Sequence, residues 1–416
     1  MTTTMPRSGT AAPAVPSARA VALAILALSV GGFTIGTTEF VTMGLLPEMA
    51  EGVGVSIPRG GHVISAYALG VVVGAPLIAV LGATLPRRGL LVALMGAYGA
   101  ANLATAMAPS FLTLAGSRFL AGLPHGAYFG VASLVAASLV PAERRGRAVS
   151  RVMLGLAVAN LIGVPAAAWL GQHLGWRSTF GAVTGLGLLT VLLVLAFVPV
   201  VPRNRGATGR RELKAFSQVQ VWLTLLIGAV GFGGMFAMYS YIAPTVTDVT
   251  GLSSSAVPLY LLAFGIGGVL GTTLGGILAD WSVLRTMVVG NAAMGGFLVL
   301  FTVTAAQPVA AWLTVLLVSL VGSMFVVALQ MRLMHVAGDA QTIGAAMNHA
   351  SLNIANALGA WLGGLVIAAG LGYTAPSWVG AGLSVLGLMA LAASVLVHRR
   401  DTRPQLAQPR SSRSTS

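Results

Sequence analysis

Nine acids occur in the 416-residue chain, and eight of them, Glu48, Glu51, Glu143, Glu212, Asp248, Asp280, Asp339 and Asp401, fall in connectors or tails between apolar runs. Glu39 is the exception, because it lies inside the first run. An ionised carboxylate is costly in hydrocarbon, so a carboxyl held there can take up and release a proton as its surroundings change. Arg118 is the basic residue that lies inside a run. Glu39 stands eight residues before Pro47 and Arg118 eight after Ser110, which at 1.5 Å per residue puts each roughly 12 Å inside the same end of its helix. Two roles are open to such a pair. It can couple protons to transport, with protonation of Glu39 releasing Arg118 and solute displacing the proton, or it can be a static ion pair that holds two helices.

His125 follows Arg118 by seven residues, two helical turns, and shares its face. An imidazole ordinarily changes charge near neutrality, so His125 can relay protons or bind solute; a hydrogen-bonded packing histidine is the other reading. Tyr128, Phe232, Phe236, Tyr239 and Tyr241 offer aromatic faces and hydroxyls that suit a cavity for drug-like solutes, or serve packing. Asn348, Ser351, Asn353 and Asn356 form a polar run, with Asn160 as a counterpart earlier in the chain. They can contact solute or bond one helix to another. His335 and Asp339 lack a third ligand for a metal, and no cofactor is expected.

The elements that must position these residues are membrane helices. Hydrophobic residues make up 56% of the chain and charged residues 8%, too little polar surface to solubilise a globule of this size. Runs of about twenty apolar residues recur, as spans require, and about twelve fit the length. All but three of the 23 Lys and Arg lie in alternate connectors or the tails, the exceptions being Arg59, Arg177 and Arg118. That alternation is the positive-inside pattern of a multi-pass protein with both termini cytoplasmic. It also excludes nucleic acid as the partner of the +14 net charge. The basic start followed by an apolar run reads as an uncleaved first helix rather than a signal peptide, since the run continues through Gly44. No cysteine is present, which removes thiol catalysis and disulfides. The sole lysine, Lys214, has no phosphate-cradling glycines, so no ATP motor is expected, and no HExxH or GxSxG suggests an enzyme.

An internal repeat runs through the chain. Gly36, Pro47 and Gly54 recur as Gly233, Pro244 and Gly251, each 197 residues on, and Asn160 and Gly163 recur as Asn356 and Gly359. The polar stretch from Arg203 divides the copies. The expected organisation is a disordered cytoplasmic tail over 1–18, a six-helix bundle over 19–202, a cytoplasmic loop over 203–218, a second six-helix bundle over 219–398 and a disordered tail over 399–416. The fold class is therefore an all-α membrane protein of twelve transmembrane helices in two pseudo-symmetric bundles. A solute path between parallel halves opens by rocking of one against the other. Register places Phe236 opposite Glu39 in the second copy, so the acid is not a demand of the fold.

Several stretches carry a family resemblance. GATLPRRG, with Gly82, Arg87, Arg88 and Gly89, is similar to the signature between helices 2 and 3 of the major facilitator superfamily, with Pro86 at its acidic position. The second copy, GILAD, keeps the acid as Asp280 and aligns Gly276 with Gly82. SRFLAGLPHGAYFG, carrying Arg118, resembles the helix 4 motif of its drug:proton antiporters, and GLAVANLIGVPAAAWLG, with Gly155, Gly163 and Pro165, resembles their helix 5 motif. GTTEFVTMGLLP and GVSIPRGGHVISAYALGVVVGAP look like the arabinose-induced and related sugar or chloramphenicol exporters. The resemblance implies gating roles for those motif residues and a cavity lined by helices 1 and 4. It also implies efflux of a small solute against protons, in a bacterial inner membrane, by a monomer, and the balance of Glu39 by Arg118 favours a neutral or zwitterionic solute. A proton-coupled importer and an uncoupled facilitator are the alternatives.

Overall fold

The computed structural model describes residues 17–406 apart from 83–84, 142–143, 201–217 and 337–340. The central loop expected at 203–218, except Gln218, and most of both tails lie outside the described residues. Among those described, every regular element is helical. The spans are α1 (Ala18–Gly44), α2 (His62–Gly82), α3 (Arg87–Ala106), α4 (Phe111–Ser138), α5 (Arg145–Val158 and Val164–Leu174, joined by the π turn Ala159–Gly163) and α6 (Trp176–Phe197). The second half holds α7 (Val219–Tyr239), α8 and α9 (257–281 and 283–304), α10 (Pro308–Val336), α11 (Gln341–Ala368) and α12 (Ala375–Leu406). The protein is a multi-pass integral membrane protein.

α8 and α9 form a near-continuous rod of 48 residues, Val257–Thr304. At 1.5 Å per residue it would measure about 72 Å, more than twice the roughly 30 Å hydrocarbon layer. Ser282, with φ −162° and ψ 104°, is extended and breaks it into two spans, which completes the count of twelve. α12 runs to Leu406, past the point at which a disordered tail was expected to begin.

The repeat is visible in both turns and packing. Gly54 and Gly251 both adopt left-handed backbone, with φ of 67° and 73°, and so do Gly175 and Gly372, again 197 residues apart, at 81° and 79°. Only glycine takes that conformation without steric cost, so the same sharp turn has been kept in each copy. α1 packs on α5 as α7 packs on α11, and α2 on α4 as α8 on α10. Likewise α3 packs on α6, and Asn291 of α9 donates to the Ser384 carbonyl of α12 at 3.2 Å.

The halves meet chiefly at the end away from the arginine-bearing connectors. There Ser65 of α2 donates to the Ala357 carbonyl of α11 at 3.0 Å, and Gln172 of α5 to the Ser254 carbonyl at 2.8 Å. Buried apolar residues of the first half divide accordingly. Val41, Leu45, Leu46, Met49 and Phe180 join the core of the second half, whereas Leu28, Leu91, Tyr98, Val135 and Val152 form a separate cluster. Backbones approach closely where α2 crosses α4. A β-carbon at Gly122 would strike the Tyr67 carbonyl, so Gly122→Val is expected to cost about 1–3 kcal/mol in overpacking, read as a lower Tm of the purified protein.

Candidate functional site

Glu39 and Arg118 are brought together by α1 and α4. Glu39 is 7% exposed and Arg118 fully buried. The guanidinium reaches α1, where Nη2 donates to the Thr38 carbonyl at 3.3 Å, one residue before the carboxylate. Nε and Nη1 have no hydrogen-bond partner among the described residues. Arg118 stands near enough for its charge to bear on the Glu39 carboxyl, yet no direct hydrogen bond joins the two side chains among the described residues. Its charge is held instead over the Tyr67 ring, 4.3 Å from the centroid, and near Phe180 at 5.4 Å. Such cation–π contacts gain strength where water is excluded.

His125 is buried two turns further along α4, and its Nδ1 lies 3.0 Å from the Tyr67 hydroxyl. The same hydroxyl is 3.3 Å from that of Tyr98, which donates to the Ile35 carbonyl at 3.4 Å. On its other side His125 faces His349 of α11, ring centroids 6.4 Å apart, and Phe129 stacks on His349 at 5.4 Å. A polar chain therefore runs from Arg118 through Tyr67 and His125 to the second half.

The expected cavity residues separate into four groups. Tyr128 is fully buried against α1, with its hydroxyl donating to the Leu28 carbonyl at 3.0 Å, so it packs α4 on α1 and its polar atom is already used. Phe232, Phe236 and Tyr239 belong to an aromatic cluster across the two halves. Phe40 of α1 stacks with Phe236 at 6.3 Å, and Tyr239 with Phe264 at 3.7 Å. Tyr241, two residues beyond the end of α7, donates to the Ala360 carbonyl of α11. Asn356 is 1% exposed, and neither its Oδ1 nor its Nδ2 has a partner among the described residues. A buried amide in that condition is costly unless water or a ligand pairs it. Asn348 and Asn353 each leave Oδ1 unpaired, as does Asn160 in the π turn.

The motif residues lie at helix ends and crossings. Gly82 is buried under Leu90, and Arg88 donates to the Leu195 carbonyl at the end of α6, while Arg87 is half-buried and Gly89 exposed. Gly276 is half-buried and Asp280 exposed, two residues before the break at Ser282. Gly155 lets α5 touch α1, since a β-carbon there would meet the Ser29 carbonyl. Gly163 ends the π turn against Phe33 and Thr37, and Pro165 opens the helix that follows.

Sequence reasoning missed Tyr67, Tyr98, Phe40, Phe264 and His349. A signal existed for His349: with His125 it is one of two histidines well inside spans, and it stands two turns before Asn356 on one helix face.

A family model described as Major Facilitator Superfamily matches residues 28–348. The Inner membrane transport protein YdhP of Escherichia coli K12 is 41% identical over 372 residues, covering 88% of this chain and 94% of its own. A Chloramphenicol resistance protein of Streptomyces lividans is 35% identical over 88% of this chain and 95% of its own. The Probable sugar efflux transporter of Helicobacter pylori is 30% identical over 88% and 94%. Among solved structures, a bacterial homologue of the human lysosomal transporter Spinster superposes with a TM-score of 0.74 at 18% identity, covering 92% of this chain and 98% of its own. A D-xylose–proton symporter gives 0.73 at 18% identity, over 89% and 97%.

Proposed function

The chain belongs to the Major Facilitator Superfamily, and on that premise we propose that it is a proton-coupled exporter of a small neutral or zwitterionic solute. It acts by alternating access as a monomer in a bacterial inner membrane, with both termini in the cytoplasm. The carrying observation is the buried Glu39–Arg118 pair, in which two guanidinium nitrogens lack hydrogen-bond partners. A buried donor left open is expensive, so the pair is poised to exchange a partner rather than to serve as a closed clamp. Protonation of Glu39 removes the counter-charge of Arg118 and biases the protein between its inward- and outward-facing states, in competition with solute. Solute binding from the cytoplasm in turn promotes loss of the proton.

The two opposite charges balance, which favours neutral or zwitterionic solutes over multivalent cations. Chloramphenicol and pentose sugars are the first probes, because relatives are named for chloramphenicol resistance and sugar efflux. Asn356, with its unpaired amide, supplies hydrogen bonds to the solute, and Phe236 and Tyr239 supply apolar surface. The apolar seal lies at the end away from the arginines, which by the positive-inside rule is the outer end, so this arrangement faces the cytoplasm.

Inverted vesicles test both coupling and direction. An acid lumen is expected to drive chloramphenicol or arabinose into the lumen, and a protonophore to abolish that uptake. Acid-driven loss of preloaded solute would identify an importer, and transport indifferent to the proton gradient a facilitator. Orientation has its own check. A thiol placed at exposed Ser138, by Ser138→Cys in the cysteine-free chain, is expected to react with an impermeant maleimide in inverted vesicles and not in intact spheroplasts.

A further inference from the structure

The Tyr67 hydroxyl stands between two acceptors, His125 Nδ1 at 3.0 Å and the Tyr98 oxygen at 3.3 Å, and has one proton to give. When His125 is neutral with the proton on Nε2, Tyr67 donates to Nδ1. When His125 is charged, Nδ1 becomes a donor, and Tyr67 must accept from it and turn its own proton to Tyr98. Tyr98 completes the series by donating to Ile35 of α1. The same Tyr67 ring lies under the Arg118 guanidinium, so release of Arg118 alters the field at the ring whose hydroxyl holds His125.

His125 in turn faces the other half of the protein. His349 is held by the flat stack of Phe129, 4° from parallel, and opposes His125 at 6.4 Å. A charge on one imidazole disfavours a charge on the other at that separation, with His125 buried and His349 half-buried. Titratable or charged groups acting on Tyr67 are Arg118, Glu39, Tyr98 and His125. On His125 the group is His349, with Tyr67 as hydrogen-bond partner.

We propose that Tyr67 and His349 are positioning residues of the coupling step. Tyr67 carries the charge state of the Glu39–Arg118 pair to His125, and the His125–His349 contact between α4 and α11 is where the second half responds by parting from the first. The inference rests on the reading of Glu39 as the coupling acid.

The test uses protons alone as the probe, because the solute is unidentified. Spin labels are placed at Ser138→Cys and His335→Cys, exposed positions near the arginine-bearing ends of α4 and α10, in the otherwise cysteine-free chain. The distance distribution is recorded between pH 5 and 9 in nanodiscs. The labelled parent is expected to shift between two populations with pH, and Glu39→Gln to lose that shift. Tyr67→Phe keeps the ring under Arg118 and removes the hydroxyl; it and His349→Gln are each expected to move the midpoint by about one pH unit or more, or halve the shift. Glu48 lies outside the spans, where burial pushes its carboxyl above the ordinary range, so Glu48→Gln controls for a second titrating acid and is expected to behave as the parent. A lost shift in Glu39→Gln beside parental profiles in Tyr67→Phe and His349→Gln overturns the inference and leaves the coupling reading standing. A pH-independent parent, or a Glu39→Gln profile like the parent's, overturns that reading and the inference with it. Should Tyr67→Phe not fold, His349→Gln on the opposite half decides alone.

Discussion

Glu39→Gln is expected to lower sharply the solute accumulation driven by an acid lumen in inverted vesicles while leaving solute exchange at equal pH in place. Glutamine preserves the size of the side chain and fixes it in an uncharged form that neither binds nor releases a proton. The fall in driven uptake is expected within the roughly 5–150-fold range that coupling free energies of about 1–3 kcal/mol produce. The split between the two assays is the informative part. A side chain needed only for folding or for solute binding would lower exchange as much as driven uptake. The position tolerates the change structurally, since Glu39 sits on α1 beside Thr38, and the site's hydrogen bond from Arg118 goes to the Thr38 carbonyl.

Arg118→Ala is expected to be the most damaging single change in the site, to stability and transport together. It removes the contact with the Tyr67 ring and the bond to Thr38, and it strands Glu39 in apolar surroundings. Removing one member of a buried charge pair typically costs about 3–5 kcal/mol, and here a void adds to it. The intrinsic fluorescence of the seven tryptophans reports the loss as a lowered Tm in detergent. Arg118→Lys is expected to fold better and to transport poorly. Lysine keeps the charge, but it lacks the planar fork that spans the Tyr67 ring and the α1 carbonyl. Parental transport in the lysine variant would mean that charge alone matters there, and that the stacking on Tyr67 is incidental.

What could be seen in the sequence follows from which physical signals survive without coordinates. Glu39 and Arg118 were legible because charges are rare inside apolar runs, and counting from Pro47 and Ser110 was enough to put them at one depth. The two-bundle fold was legible because sharp turns demand glycine: Gly54 and Gly251, flagged by their spacing, share the left-handed backbone. The pair Gly175 and Gly372 carries the same spacing and was overlooked. Tyr67 was not legible, since its role depends on how α2 is rotated against α4, and tyrosines in apolar runs look alike. Tyr128 shows the converse. It shares a helix with His125, yet its rotation about α4 aims the hydroxyl at Leu28 of α1. The aromatic cluster escaped because Phe40, Phe236, Tyr239 and Phe264 come from three helices, and nothing in a linear pattern joins them. The break at Ser282 lacks a proline or glycine of its own, and what marks it in the sequence is the repeated GILAD signature ending at Asp280 together with the excessive length of the apolar stretch.

The order of the polar chain gives the mechanism its direction. Arg118, Tyr67 and His125 lie within the first half, whereas His349 and Asn356 share a face of α11 in the second, so the residues proposed for proton and solute stand on both sides of the interface. A ligand shifts a two-state equilibrium only by the difference in its affinity for the two states. Asn356, unpaired in this arrangement, is a place where such a difference can arise, since a solute that reaches it replaces an unsatisfied amide with a made bond.

The most direct test of the central claim is solute-induced proton release from the purified protein in weakly buffered detergent, with chloramphenicol, arabinose and nucleosides as probes, on the parent and on Glu39→Gln. The account predicts that one compound releases protons from the parent and none from the variant, while still binding to both. Release of the same size from Glu39→Gln would contradict the assignment of Glu39 as the coupling acid, and binding to the parent without any release would contradict proton coupling itself.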